Sequence, residues 1–229
     1  IGGVRKIICL FVAACALAAL VGFITSAHHL GLTEDCLRYL AMAHHVAAGK
    51  GFSLYNPSIA PVSLPYISQA PLWSALLAPG LVAGVRAEAW SWLLVTALLG
   101  ANLWLAGCTV YYGTRNLTAG LVAQALLLTD RHWAMHHAYA LSEPLFICVT
   151  SAAVLAFWVY LDSGRVRWLA LAGGCAGLAG LTRFIGLAYA AAFALGILLL
   201  DRNGRGGWVG RFRRAAWVGL AGALPLGLW

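Results

Sequence analysis

The sequence predicts an all-α, polytopic bundle of about seven membrane-spanning helices, and three observations carry that prediction. Hydrophobic residues make up 62% of the 229 positions and charged ones only 10%, whereas soluble domains hold about 45–50% apolar and roughly a quarter charged residues. Apolar runs alternate with short polar gaps along most of the chain. The Lys and Arg residues behind the net charge of +8 sit in those gaps, where they set orientation in a bilayer rather than form a nucleic-acid surface.

Arg5 and Lys6 precede the first apolar run, residues 7–25. It reads as an uncleaved first span; the alternative is a signal peptide, because Thr25-Ser26-Ala27 loosely resembles a cleavage site. Residues 27–88 form the longest interruption and are expected to be a large extracytoplasmic loop. Thr33 is a plausible N-cap for an amphipathic helix from Glu34 to about Ala48, ended by Gly49-Lys50-Gly51. Leu37, Leu40 and Ala41 mark its apolar side, and Asp35, Arg38, Met42 and His45 follow along another side.

Further apolar runs cover 89–112, 117–129, 142–161, 168–181, 184–200 and 215–229. The stretch 71–85 is also apolar, but it is short and carries Pro79. Charge decides whether it crosses. If it does not, Arg5, Lys6, Arg115, Arg165, Arg167, Arg202, Arg205, Arg211, Arg213 and Arg214 lie inside, leaving Arg38, Lys50, Arg86, Arg131 and Arg183 outside. If it crosses, that ten-to-five split inverts, against the enrichment of Lys and Arg in cytoplasmic loops. The stretch 71–85 is therefore expected to be re-entrant or interfacial. The whole of 1–229 forms one transmembrane module with its N-terminus cytoplasmic, and 130–141 is a second extracytoplasmic loop.

The six cysteines show no metal-ligand or paired spacing, and all but Cys36 lie in apolar runs, where Cys behaves as a small hydrophobe. Asn116-Leu117-Thr118 matches a glycosylation pattern on the inner side and is read as coincidence. Because the chain opens on Ile1 and stops inside an apolar run, it is expected to be a fragment lacking a C-terminal part.

Several short motifs carry chemistry. Asp35-Cys36-Leu37-Arg38-Tyr39-Leu40-Ala41 resembles the D-x-x-R-Y pattern that opens the first extracytoplasmic loop of GT-C superfamily glycosyltransferases. The branch is that of the protein O-mannosyltransferases and lipid A aminoarabinose transferases. Gly49-Lys50-Gly51-Phe52 resembles the glycine pair and aromatic that follow. Ala70-Pro71-Leu72-Trp73 resembles the signature before the membrane-dipping helix, and residues 111–115 resemble the basic inner end of the second span. Ala140-Leu141-Ser142-Glu143-Pro144-Leu145 resembles the second acidic motif, usually written with Asp. Gly177-Leu178-Ala179-Gly180-Leu181-Thr182-Arg183 resembles the stretch near the lipid carrier's phosphate, with Arg for Lys. Two positions depart from the pattern: Cys36 stands where an acid often follows the catalytic Asp, and Gln69-Ala70 replaces the Glu-Lys pair of aminoarabinose transferases.

The resemblance implies an inverting transfer of a sugar from a polyprenyl-phosphate donor to a hydroxyl on protein, lipid or glycan, outside the cytoplasm of a bacterial inner (plasma) membrane. It implies Asp35 as general base, Glu143 as second carboxylate, and Arg183 as the contact to the leaving phosphate. Arg38, Tyr39, Glu34 and His137 complete the expected substrate contacts. No organic cofactor is implied; a divalent metal ion held by Asp35 and Glu143 is the one candidate.

Each residue also has a plainer reading. Glu34 and Asp35 suit the first turn of any helix, where an acid contributes about 0.3–1 kcal/mol, and Arg38 is an i,i+3 partner for Asp35. Glu143 before Pro144 suits another helix start, and Arg183 an interfacial anchor. The adjacent pairs His44-His45 and His136-His137 point to different faces and suit structural or solvated roles. A transporter or flippase-like protein and a non-catalytic subunit binding a lipid-linked sugar remain the alternatives. Charges clustered at one membrane face without an internal repeat favour the enzyme over the transporter.

Overall fold

The structure is a computed structural model that describes residues 2–25, 30–55, 63–65, 68–200, 207–227 and 229. Among the described residues its regular elements are helices, apart from one small hairpin and an isolated bridge between Gly31 and Tyr139. The order is α1 (Gly2–Thr25), α2 (Glu34–Ala47), β1 (Ser53–Tyr55), β2 (Ser63–Pro65), α3 (Leu72–Val82), α4 (Ala87–Thr114), α5 (Leu117–Thr129) and α6 (Arg131–His136). It continues with α7 (Glu143–Ser163), α8 (Val166–Thr182), a 3₁₀ turn at Phe184–Gly186, α9 (Leu187–Leu200) and α10 (Gly207–Gly227). Among the described residues, α1, α4 and α7 are long and apolar enough to cross a membrane, and α3, α5, α8 and α9 are shorter apolar helices. The loop start at 27–29, the whole β1–β2 connection, and Arg202 and Arg205 lie outside the described residues.

The chain divides into two compact units, 1–145 and 146–229. In the first, α1 packs on α4 and α4 on α5. Ala14 and Ala18 of α1 meet Leu99 and Leu103 of α4 in a buried cluster. Gln124 of α5 is fully buried and donates from Nε2 to the Leu10 carbonyl across 3.0 Å, tying α5 to α1. Gly107 of α4 makes room for it, because a Cβ there would stand 2.5 Å from Gln124 Nε2. Small residues and polar side-chain bonds of this kind hold helices together where lipid removes the hydrophobic drive.

The described residues between α1 and α4 follow their sequence signals closely. Thr33 caps α2, its Oγ1 accepting from the Cys36 amide at 3.3 Å, and the helix ends before Gly49 and Gly51, both at positive φ. The stretch 71–85 folds as the eleven-residue α3, packed against α2 and turned back at Ala83-Gly84 into α4. A chain reversal at Gly84, φ +76°, suits a residue without a Cβ.

Three expectations change. The buried stripe of α2 is Cys36, Tyr39, Met42 and Ala43, whereas Leu37 of the expected apolar side is 55% exposed. The stripe is set by what α2 reaches in α3 and in residues 138–144, not by side-chain hydropathy alone. The 130–141 loop contains a helical segment, α6, whose N-cap Asp130 accepts from the Trp133 amide at 3.0 Å. The polar gap 201–214 is helical from Gly207, so Arg211, Arg213 and Arg214 ride on α10. Asn116, the apparent glycosylation site, instead caps α5 by accepting from the Ala119 amide at 3.3 Å.

In the second unit, small residues bring α8, α9 and α10 together. Ala153, Ala156, Tyr160, Leu169, Ala172, Ala176, Ala190, Phe193, Ile197, Ala215 and Val218 form its buried core. Gly177 lies so close to α10 that a Cβ would stand 2.9 Å from the Ala221 carbonyl oxygen, and Gly186 so close to α8 that one would stand 2.2 Å from the Ala179 carbonyl carbon. That second approach closes the turn between α8 and α9.

Gly107→Leu should destabilise the first unit by about 1–3 kcal/mol through overpacking against Gln124, read as a lower unfolding midpoint of the purified chain in detergent. Gly174→Ala, where a Cβ meets nothing within 4 Å, should not lower it. Equal midpoints for Gly107→Leu and wild type would contradict the close α4–α5 approach.

Candidate active site

The N-terminal turn of α2 presents Glu34 and Asp35 to solvent, with side chains 78% and 59% exposed. Arg38, one turn on, forms a short ion pair with Glu34 Oε1 and stands 3.7 Å from Asp35 Oδ1. Gln69, just before α3, donates from Nε2 to the same Asp35 oxygen at 3.0 Å. Exposed pairs contribute at most about 1 kcal/mol to stability, so this grouping is not what holds the fold. It leaves an accessible carboxylate with two fixed neighbours.

The other face of α2 is buried and reaches residues 138–144. Tyr39, only 6% exposed, shares a 3.0 Å hydrogen bond between its hydroxyl and Ser142 Oγ. Its own carbonyl accepts from Ser74 Oγ of α3 at 3.0 Å. Tyr39 thus points into the protein and fixes Ser142, the neighbour of Glu143. Trp73 of α3, fully buried, donates to the Ala140 carbonyl at 3.0 Å. Gly31 donates its amide to the Ala138 carbonyl at 2.9 Å, with Tyr139 lying over it so closely that a Cβ on Gly31 would strike the ring at 2.3 Å.

Asn102 of α4 completes the grip. Its Nδ2 donates to the Pro144 carbonyl at 3.0 Å and bonds His137 Nε2 at 3.0 Å. A carbonyl can only accept, so the first bond fixes the amide with its N–H groups forward, and Nε2 of His137 must be the acceptor. Its Nδ1, 3.1 Å from the Trp133 carbonyl, is then the donor. Both contacts select the neutral Nδ1–H tautomer. Burial lowers the pKa of His137 below its ordinary 6.5; the Trp133 carbonyl opposes that fall and His136 adds to it.

Glu143 opens α7 in its first turn, half-buried, with Oε2 buried. The structure therefore brings Glu34, Asp35, Arg38 and Gln69 together at one end of α2. It links Tyr39 to Ser142, and His137 through Asn102 to Pro144, on either side of Glu143. Arg183 belongs to the second unit, at the C-cap of α8, where its amide bonds the Ala179 carbonyl at 2.9 Å and its carbonyl accepts from Gly186 at 2.7 Å. A cavity of about 230 Å³ opens between the end of α1 and the start of α4, with His137 and Tyr139 among its lining residues.

The donor set at Asp35 does not fit a divalent cation. Such ions take several oxygen ligands, whereas Asp35 Oδ1 faces an amide N–H and a guanidinium. Among the described residues, no three His, Cys, Asp or Glu side chains are grouped to hold a metal.

Gln69, Ser142 and Asn102 were not singled out from the sequence as functional. Asn102 did carry a signal, as an amide side chain inside the apolar run 89–112; Gln69 registered only as a departure from the family motif. The chain matches no protein-family model, no curated protein and no solved structure.

The lowered pKa of His137 makes the first unit pH-sensitive in a stated direction. The unfolded chain protonates His137 near pH 6.5 while the folded protein keeps it neutral, so the full contribution is present above that pH and is lost as pH falls through the lower folded value. Unfolding midpoints measured in detergent should therefore hold above about pH 6.5 and decline below it. A His137→Leu variant should lose that component of the decline, and an unaltered pH dependence would contradict the assigned tautomer.

Proposed function

We propose that the chain is the membrane module of a GT-C-like, inverting glycosyltransferase that takes its sugar from a polyprenyl-phosphate donor on the extracytoplasmic side. Its setting is a bacterial plasma membrane, with seven spans, a cytoplasmic N-terminus and α3 as the membrane-dipping helix. The observation that carries the proposal is Asp35: water-accessible, held by Gln69 and Arg38, on the helix whose buried face bonds Ser142 beside Glu143. The order of the motifs along the chain and the ten-to-five charge split support the same assignment.

The chemistry suits these residue types. The acceptor hydroxyl attacks the anomeric carbon as its bond to the phosphate oxygen breaks, and a single displacement inverts the configuration. Asp35 takes the hydroxyl proton as general base. The lipid phosphate departs without a proton donor, because it is already a good leaving group. Arg183 meets its charge, since a planar guanidinium can bond phosphate through two N–H groups. Glu143 positions the acceptor, Glu34 and Arg38 steady the start of α2, and Tyr39 and His137 act by fixing the segment that carries Glu143.

Mass spectrometry of lipid extracted from the purified chain identifies the bound polyprenyl-phosphate sugar, which then serves as donor in a transfer assay. Asp35→Asn should lower turnover by about 10²–10⁴-fold, the range of a lost general base, with expression and unfolding midpoint unchanged. Wild-type turnover in Asp35→Asn would contradict the base assignment.

A further inference from the structure

The amide of Gln69 has one orientation open to it. With Oε1 turned toward Asp35, carbonyl lone pairs would face carboxylate lone pairs; with Nε2 turned there, an N–H meets an acceptor, and this is the bond observed at 3.0 Å. Its Oε1 is buried and has no hydrogen-bond partner among the described residues, so the bond from Nε2 to Asp35 alone sets the amide's orientation. The backbone behind it is fixed as well. Gln69 lies two residues before Pro71, the N-cap of α3, and α3 is bound to Ala140 through Trp73 and to Tyr39 through Ser74. The side chain is therefore delivered to Asp35 by a helix that cannot slide along α2 without breaking buried bonds.

On the other side of the carboxylate, Arg38 stands 3.7 Å from the same Oδ1. An amide N–H and a guanidinium thus converge on Oδ1, so a divalent cation would meet this carboxylate as a single oxygen ligand beside a fixed positive charge. We infer that Gln69 is the positioning residue of Asp35 and that its amide, standing where a second acid would have to be, leaves this carboxylate without the oxygen ligands that a divalent cation needs. The inference deepens the proposed glycosyltransferase reading and rests on it for its meaning in the reaction: the base is oriented by protein N–H groups alone. The Glu found at this motif position in the aminoarabinose branch would put a second carboxylate beside Asp35, and two carboxylates are the hard oxygen ligands that Mn²⁺ prefers.

The test uses the full chain purified in detergent, titrated with Mn²⁺ alone and followed by loss of the free-ion electron paramagnetic resonance signal. Wild type should hold no more Mn²⁺ than Asp35→Asn. Gln69→Glu should gain a site that disappears in Gln69→Glu combined with Asp35→Asn. Gln69→Asp offers the same chemistry should the Glu variant not fold. Mn²⁺ bound by wild type and lost in Asp35→Asn would overturn the inference, as would folded Gln69→Glu and Gln69→Asp variants that gain no site. Either result leaves the Asp35→Asn turnover test untouched, so the two readings fail separately.

Discussion

Buried backbone groups must find partners inside the protein, because one left unmet costs free energy. Residues 138–144 are the place where this constraint shapes the molecule. The segment is too irregular to pair with itself, so its carbonyls are met from elsewhere: Ala138 by the Gly31 amide, Ala140 by the Trp73 indole, Pro144 by the Asn102 amide. Ser142 is held through its side chain by Tyr39. Each such bond contributes only about 0.5–1.5 kcal/mol net, but leaving a buried partner unmet costs more. The positions of α2, α3 and α4 around the start of α7 follow from satisfying that one segment.

Because α2 spends its buried face on this task, its other face is left to solvent. Cys36, Tyr39, Met42 and Ala43 are buried, while Glu34 and Asp35 stand in water at the N-terminal turn. A helix end is a rigid mount, and rigid elements hold a reacting group better than loops do. The same α3 that anchors Tyr39 and Ala140 also delivers Gln69 to Asp35, so the local environment of the carboxylate and the path of residues 138–144 are set by one packing arrangement. The solvent-facing residues need contribute little to stability in return.

Much of this was legible in the sequence. Thr33 as cap, the extent of α2, the glycine stop and the short α3 all rest on local rules about capping, φ and length, and local rules need no knowledge of partners. The face that α2 buries was misjudged because Leu37 and Ala41 are apolar, yet a helix in a largely apolar chain can leave such residues outside while burying a tyrosine whose hydroxyl has a partner. The bonds from Gln69 to Asp35 and from Asn102 to Pro144 join residues 34 and 42 positions apart, and no periodicity reports such pairs. Arginines 211, 213 and 214 looked like a loop because polarity was taken for irregularity; they form the start of α10.

The central claim is that Asp35 and the segment leading to Glu143 share one extracytoplasmic surface. Substituted-cysteine labelling in intact cells with a membrane-impermeant maleimide tests it most directly, in a background where the six native cysteines are replaced. Leu37→Cys beside Asp35, Arg131→Cys at the start of α6 and Arg165→Cys between α7 and α8 all place the thiol at exposed positions. Positions 37 and 131 should label from outside, and position 165 only after the membrane is opened. Labelling of 165 from outside, with 37 and 131 protected, would invert the topology and contradict a lipid-linked sugar transferase acting at Asp35.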